Sequence, residues 1–350
     1  MRLGQVSMFV VLVVLLAPGL LWAGPAEDAL EAGLKLHEAG TLEEAVREYD
    51  RAIRLNPRLT EAYYNRGNAY YDLGRNERAV KDYSEVIRRS PNDAEAYYNR
   101  GNAYRRLGQV ERALKDYTVA IRLNPEEAEI YVNRGNVYFR LGRYDSAVRD
   151  YDDAVRLNPE DPETYYNRAN AYLRMGNKER AVENYNEAIR LNPKLVEAYY
   201  NRGIAHAQLN QHERAVEDYT VVLDSNPKSA EAYYNRGLAF FRLGRHSQAL
   251  QDLDEAIRLN PKDPEAYYNR GLVYGAMGQY ERAARDYTES IVLNPRNAEA
   301  YGQRGLVRLY QGRDEDAGAD FQKAYKLEAG LKKKLEPLIN DAKKKGAAKP

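Results

Sequence analysis

Residues 60–93 read TEAYYNRGNAYYDLGRNERAVKDYSEVIRRSPND, and the pattern of this stretch decides the fold. In its first half Gly67 and Tyr70 stand three apart, and in its second half Ala79 and Tyr83 stand four apart. These spacings place each pair on one face of an α-helix. The stretch therefore predicts two packed helices, with small residues that allow close approach and tyrosine rings that fill the remaining volume. One pair of helices cannot bury both of its faces, so neighbouring copies must complete the core.

The same stretch recurs along the chain with a constant period of 34 residues. Proline marks this period without an insertion, at positions 57, 91, 125, 159, 193, 227, 261 and 295. A proline disfavours helix in the preceding residue and suits the first turn of a following helix, while Gly74 and its equivalents can end a helix in a left-handed conformation. We therefore expect nine repeats of two helices, starting at residues 26, 60, 94, 128, 162, 196, 230, 264 and 298.

The consensus of the repeat resembles the tetratricopeptide signature. Tyrosine stands at the fourth, eleventh and twenty-fourth positions, glycine at the eighth, alanine at the twentieth and proline at the thirty-second. The resemblance covers residues 26–331 and is weakest in the terminal repeats, as is usual for repeat proteins. It implies an all-α fold, a right-handed superhelical α-solenoid of nine helix-turn-helix repeats whose first helices line a concave groove. Residues 332–350 are expected to form a capping helix and a basic tail.

The N-terminus has the pattern of a signal peptide, which we assign to residues 1–23. Arg2 is followed by an apolar run from Met8 to Trp22, and we expect cleavage after Ala23. The run is interrupted by Pro18-Gly19 and is shorter than the roughly 20 residues that cross a bilayer as a helix. We therefore predict export, to the periplasm or as a secreted protein. The alternative is an uncleaved N-terminal segment that anchors the protein to a membrane.

Charge and composition exclude several classes of function. Without residues 1–23 the chain carries 52 basic and 52 acidic side chains, so it has no net positive charge to attract nucleic acid. Cysteine is absent, which excludes disulfides, thiolate nucleophiles and zinc–thiolate sites. The four histidines lack the spacing of metal ligands, and no glycine-rich phosphate loop is present. We therefore expect no enzyme activity, catalytic residue, metal or cofactor, and no nucleic-acid partner.

An arginine at the seventh position departs from the family, which usually has leucine there. It occurs in repeats two to nine, as Arg66, Arg100, Arg134, Arg168, Arg202, Arg236, Arg270 and Arg304. The twenty-third position is acidic in these repeats except the fifth, which has Asn184; the acids are Asp82, Asp116, Asp150, Asp218, Asp252, Asp286 and Asp320. We predict a bidentate arginine–aspartate bridge between packed helices. The alternative is a row of arginines that binds an acidic ligand.

Asparagine at the sixth position is the strongest candidate for function. It occurs in seven consecutive repeats, as Asn65, Asn99, Asn133, Asn167, Asn201, Asn235 and Asn269, here called the asparagine ladder. Asparagine inside a helix costs around 0.5 kcal/mol relative to alanine, so helix stability does not explain the set. Primary amides can bind the backbone of an extended peptide. The ladder is similar to that of the superhelical repeats of O-GlcNAc transferase. The alternative is that the amides bond internally or only to water.

Two further positions of the first helix complete the predicted peptide-binding residues. The fifth position supplies aromatic surface through Tyr64, Tyr98, Tyr166, Tyr200, Tyr234 and Tyr268. The ninth position changes from asparagine (Asn68, Asn102, Asn136 and Asn170) to apolar residues (Ile204, Leu238, Leu272 and Leu306) halfway along the chain. This change suggests a ligand with a polar or acidic segment beside the earlier repeats and an apolar segment beside the later ones. Glutamate at the second position is assigned to helix stability, because acids favour the positive helix end.

These features predict a scaffold that binds a protein or peptide partner of unknown identity along its groove. The alternatives are a membrane-anchored assembly factor for an envelope complex and a regulatory subunit of an enzyme in another chain. The segment from Gly330 carries seven lysines and two acids. We interpret it as a solvated cap, with weak attraction to anionic lipid as the alternative.

Overall fold

The computed structural model describes residues 24–347, which form nineteen α-helices and no strand. The first helices of the repeats are α1 (Pro25–Glu38), α3 (Thr60–Asp72), α5 (Ala94–Arg106), α7 (Ala128–Arg140), α9 (Pro162–Arg174), α11 (Val196–Gln208), α13 (Ala230–Arg242), α15 (Pro264–Ala276) and α17 (Ala298–Tyr310). The second helices are α2 (Leu42–Leu55), α4 (Asn76–Arg89), α6 (Val110–Leu123), α8 (Tyr144–Leu157), α10 (Lys178–Leu191), α12 (His212–Ser225), α14 (His246–Leu259), α16 (Tyr280–Leu293) and α18 (Asp314–Leu327). A last helix, α19, spans Leu331–Ala347. The prediction of an all-α chain of nine helical repeats with a capping helix is confirmed.

The predicted signal peptide, residues 1–23, lies outside the described residues. Within the range 24–347, no helix has both the length and the apolar character needed to cross a membrane.

Helix contacts divide the chain into two units, one ending at Pro125 and the other beginning at Glu126. The first unit contains α1–α6 and the second contains α7–α19. Within each unit every helix packs on the next in chain order, and each first helix also touches the first helix of the following repeat. The first helices of a unit therefore lie side by side, and one face of each is continuous with the same face of its neighbour.

A glycine–tyrosine contact joins the two helices of a repeat. The tyrosine of the twenty-fourth position is almost completely buried, as Tyr83 and Tyr219 illustrate. Its ring covers the glycine of the eighth position so closely that a Cβ on Gly67 would lie 2.9 Å from Cε1 of Tyr83. Buried alanines line the same interface. The small residues thus set the distance between the helices, and the tyrosine ring fills the gap.

The arginine of the seventh position connects three helices, and we call this connection the arginine staple. Arg236 donates from Nε and Nη2 to Asp252 of its own repeat, at 2.7 and 2.9 Å. Its Nη1 donates to Oγ1 of Thr220, on the second helix of the preceding repeat, at 3.0 Å. Arg270 makes the equivalent bonds to Asp286 and Asp254. The predicted bidentate bridge is confirmed, and within a unit the staple also connects a repeat to the preceding one.

Repeat five keeps the arginine staple although Asn184 replaces the aspartate of its own repeat. There Arg168 donates to the amide oxygen of Asn184 at 2.7 Å and forms its ion pair with Asp152 of the preceding repeat, also at 2.7 Å. Buried arginine needs at least one anionic partner, and the neighbouring repeat supplies it here. These arginines therefore act inside the stack, because their donors are directed at neighbouring helices.

Helix α19 covers the end of the last repeat. Leu331, Leu335 and Ala342 are buried against α17 and α18. Gly302 stands at the fifth position of repeat nine, where six earlier repeats have tyrosine, and an added Cβ there would lie 2.9 Å from Leu335. The glycine makes room for the cap. Pro337 lies inside α19.

The turn between the two helices needs a left-handed residue. Eight repeats use glycine there with φ between 71 and 81°, whereas repeat six uses Asn210 with φ 57°. A side chain strains this conformation by roughly 1 kcal/mol or more relative to glycine.

We predict that Asn210→Gly raises the free energy of unfolding by about 1 kcal/mol, because it removes the backbone strain. The reciprocal change Gly244→Asn is the control; no atom lies within 4 Å of its added Cβ, so it introduces the backbone strain alone. Urea unfolding followed by circular dichroism measures both. An Asn210→Gly variant that is no more stable than the original chain would contradict the backbone explanation.

His206 occupies a core position at which most repeats have tyrosine. It is buried, with Nδ1 2.7 Å from Oε1 of Gln211 and Nε2 3.9 Å from Oδ2 of Asp218. Burial lowers the pKa of His206 below its ordinary value of 6.5, against the opposing effects of Gln211 and Asp218.

The unfolded chain therefore binds a proton at His206 more readily than the folded chain does. Stability from this residue is complete above the unfolded pKa and is lost as the pH falls below it. We predict that His206→Tyr, which restores the repeat consensus, reduces the drop in urea midpoint between about pH 7.5 and about pH 5.5. An unchanged drop would show that other groups cause the pH dependence.

Candidate peptide-binding surface

The asparagine ladder lies half-buried on the exposed side of the first helices. In four repeats the Nδ2 group donates to the fifth-position tyrosine hydroxyl of the preceding repeat, at 2.8 to 3.0 Å. The pairs are Asn99–Tyr64, Asn201–Tyr166, Asn235–Tyr200 and Asn269–Tyr234. The amide donors of these four residues thus join neighbouring repeats, and their Oδ1 atoms have no bonding partner within residues 24–347. The internal bonding that the sequence left as an alternative is present for these donors.

Some ladder amides bond to the backbone of their own helix. Asn65 and Asn133 donate to the backbone carbonyls of Glu61 and Glu129, at 2.8 and 3.2 Å. Asn167 is half-buried and forms no hydrogen bond to the described part of the chain. The cause is visible in the sequence, since repeat four has Val132 in place of the fifth-position tyrosine. Asn167 is therefore the ladder residue whose donors and acceptor both remain available to a ligand.

The fifth-position tyrosines are half-buried between repeats. Their rings pack on the twenty-fourth-position tyrosine of the same repeat, with ring centroids 5.9 Å apart for Tyr200 and Tyr219 and 6.1 Å apart for Tyr166 and Tyr185. Burial raises the pKa of Tyr234 to about 12, with Glu265 and Asp263 adding to the effect. The hydroxyl thus stays protonated at neutral pH, so it can accept from an asparagine and still donate.

The ninth-position asparagines are bonded inside their own repeats. Asn68, Asn102, Asn136 and Asn170 each accept from the hydroxyl of the buried tyrosine at the twenty-fourth position, at 2.6 to 2.7 Å. Asn102 is only 8% exposed. Their role as ligand contacts stays a prediction, but the structure gives them a second role as partners of core hydroxyls. That pairing could have been found in the sequence, because all four repeats with Asn at position nine have tyrosine at position twenty-four.

The apolar residues at the ninth position belong to the core more than to the surface. Ile204 and Leu272 pack against buried clusters, and Leu306 is buried. They add less apolar area to the first-helix surface than the sequence alone suggested.

The second-position glutamates form an exposed acidic row beside the ladder. Burial raises the pKa of Glu265, and the nearby carboxylates of Asp263 and Glu299 raise it further. The Tyr268 hydroxyl lies 3.4 Å from Oε2 of Glu299, so the glutamate of one repeat adjoins the tyrosine of the preceding one. The sequence predicts a role in helix stability for these glutamates, and their approach across repeats is seen only in the structure.

Arginines at the thirteenth position lie at the opposite end of the first helices. Nη1 of Arg106 donates to the carbonyl of Tyr71 at 2.8 Å, and its guanidinium lies 3.5 Å from the centre of the Tyr71 ring.

In the first unit a cavity of about 330 Å³ opens between repeats two and three, lined by Glu61, Tyr64 and Asn65 among others. Ladder, tyrosine and glutamate residues thus share one concave site.

Family models of the tetratricopeptide repeat match most of the chain. A model described as TPR repeat matches residues 33–74, 67–108, 101–142, 135–176 and 237–278. Models described as Tetratricopeptide repeat match residues 166–230 and 264–297. The chain is therefore a helical-repeat scaffold, and it belongs to the tetratricopeptide-repeat family. None of the curated proteins matches it.

The chain is similar to several solved structures. YrrB, described as a TPR protein with an unusual peptide-binding site, is 26% identical with a TM-score of 0.51, over 54% of this chain and 97% of its own. Pseudomonas aeruginosa pilF is 16% identical with a TM-score of 0.50, over 58% of this chain and 92% of its own, and shows the fold alone. MamA is 29% identical with a TM-score of 0.45, over 47% of this chain and 96% of its own.

We predict that Tyr200→Phe lowers the free energy of unfolding by about 1 kcal/mol, because the Asn235 amide loses its acceptor. Tyr268→Phe is the matched control, since the sixth position of repeat nine is Gln303 and the Tyr268 hydroxyl has only its long contact with Glu299. Urea unfolding compares the two. Equal losses would show that the asparagine–tyrosine bond contributes nothing to the stack.

Proposed function

We propose that this protein is an exported, non-enzymatic scaffold that holds an extended peptide segment of a partner protein against its first helices. The observation that carries the proposal is the half-buried asparagine ladder, above all Asn167 with its unbonded amide. A primary amide donates to a carbonyl and accepts from an N–H group, so it can bind peptide backbone with little regard to side chains.

The energetics of the ladder support a role in binding. Asparagine costs around 0.5 kcal/mol inside a helix relative to alanine. Where the amide bonds to a tyrosine, a hydrogen bond worth about 1 kcal/mol offsets that cost. At Asn167 no such bond offsets it. A ligand contact would explain why asparagine stands there.

Two further observations support other parts of the proposal. YrrB shares the fold at 26% identity, and its structure is described as having an unusual peptide-binding site. Residues 1–23 have the pattern of a signal peptide, which supports export to the periplasm or secretion. Their retention as a membrane anchor is the alternative, and sizing the N-terminus of the protein purified from its native envelope distinguishes the two.

We predict that the triple variant Asn167→Ala, Asn201→Ala, Asn235→Ala recovers about tenfold less of the partners that the intact protein retains from an envelope extract. The physical reason is the loss of amide contacts to the bound backbone. Quantitative mass spectrometry of the retained proteins is the measurement.

The double variant Tyr166→Phe, Tyr200→Phe is the matched control. It breaks the tyrosine bonds of Asn201 and Asn235 but keeps every amide and the bond from Asn201 to Asn170, so loss of the tyrosine bonds alone would affect both variants. A third variant, Asn167→Ala alone, breaks no internal hydrogen bond of the described chain, so it tests the amide contact without a loss of stability. Unchanged recovery by the triple variant, or equal loss in the control, would refute the binding role of the ladder.

A further inference from the structure

The first-helix surface of repeats six to nine is rich in hydrogen-bond acceptors. The Nδ2 groups of Asn201, Asn235 and Asn269 are directed at tyrosine hydroxyls of neighbouring repeats. Their Oδ1 atoms have no internal partner in the described chain. The surface therefore offers mainly carbonyl-type oxygens, and a ligand that binds there must supply donors.

The same surface carries carboxylates that form no salt bridge in the described part of the chain. Glu197, Glu231, Glu265 and Glu299 are exposed, and none of them forms a salt bridge within residues 24–347. By contrast, Glu187 and Glu255 on second helices each pair with an arginine three residues further on the same helix. The first helices have no such arginine, so their carboxylates remain open to an external cation.

Asparagine and glutamate of one repeat lie together on the surface. Asn269 Nδ2 lies 2.9 Å from the backbone carbonyl of Glu265, one helical turn earlier, so their side chains leave the same face. Tyr268 on the same helix donates to Glu299 of the next repeat at 3.4 Å, so a second carboxylate lies near this surface. At the thirteenth position, repeats six to nine have one arginine, Arg242. A basic residue stands three positions before each glutamate, as Lys194, Lys228, Lys262 and Arg296, but none of them forms a salt bridge with it. Each repeat junction thus offers an amide oxygen and an unpaired carboxylate.

We infer that repeats six to nine bind an extended, lysine- or arginine-rich segment of the partner protein. This inference rests on the proposed function and names the chemical class of its ligand. The donor groups of such a segment match the amide oxygens and carboxylates, and its positive charge matches the acidic row. The mature chain is close to neutral overall, so attraction would come from this surface and not from net charge.

The test uses three acetylated, amidated peptides of about twelve residues in which glycine alternates with lysine, serine or glutamate. Fluorescence anisotropy with the full chain measures their dissociation constants. We expect the lysine peptide to bind at least about tenfold more tightly than the serine peptide at about 50 mM salt, and to lose most of this advantage at about 300 mM. The glutamate peptide should bind most weakly.

The variant Glu197→Gln, Glu231→Gln, Glu265→Gln should abolish the preference for lysine. Its matched control is Glu213→Gln, Glu217→Gln, Glu281→Gln, which removes the same charge from exposed residues of second helices and should keep the preference. Equal loss in both variants, or a lysine peptide that binds no better than the serine peptide, would overturn the inference.

The two proposals fail in different ways. If lysine and serine peptides bind equally and both depend on Asn167, Asn201 and Asn235, the basic preference is wrong and backbone capture stands. If the lysine peptide depends on the glutamates but not on these asparagines, the basic preference stands and the ladder does not bind. If no peptide binds, both proposals are wrong.

Discussion

The arginine staple is the interaction on which the rest of the structure depends. A guanidinium that is largely shielded from water needs acceptors for its N–H groups. Here the aspartate of its own repeat and a side chain of the preceding repeat supply them. Because a staple inside one unit contacts two repeats at once, it fixes their separation and register together. The glycine–tyrosine contact then sets the distance between the two helices inside each repeat.

A fixed register explains why the polar surface can be built from one side chain per repeat. A sixth-position asparagine reaches a tyrosine 35 residues earlier only if consecutive first helices keep the same offset. This bond occupies the Nδ2 donor of the asparagine and leaves its Oδ1 acceptor without an internal partner in the described residues. The stacking interaction therefore also determines the hydrogen-bond character of the surface, which becomes a row of acceptors beside carboxylates.

The sequence was sufficient for contacts within a repeat and insufficient for contacts between repeats. The two helices, the buried tyrosine of position twenty-four and the Arg236–Asp252 bridge all follow from spacing within 34 residues. The tyrosine partner of Asn235 and the approach of Glu265 to Glu299 depend on how one repeat is placed on the next, which periodicity alone does not specify. The sequence did carry one signal for the site: Val132 replaces the fifth-position tyrosine of repeat four, so Asn167 has no tyrosine hydroxyl to bond.

The most direct measurement is a nuclear magnetic resonance titration of the protein labelled with nitrogen-15 at asparagine, with the lysine peptide as ligand. Binding on the first helices of repeats six to nine predicts that the side-chain amide signals of Asn201, Asn235 and Asn269 shift in proportion to occupancy, while those of Asn56 and Asn158, at the ends of second helices, do not. Saturable binding that shifts the second group and leaves the ladder signals in place would contradict the account.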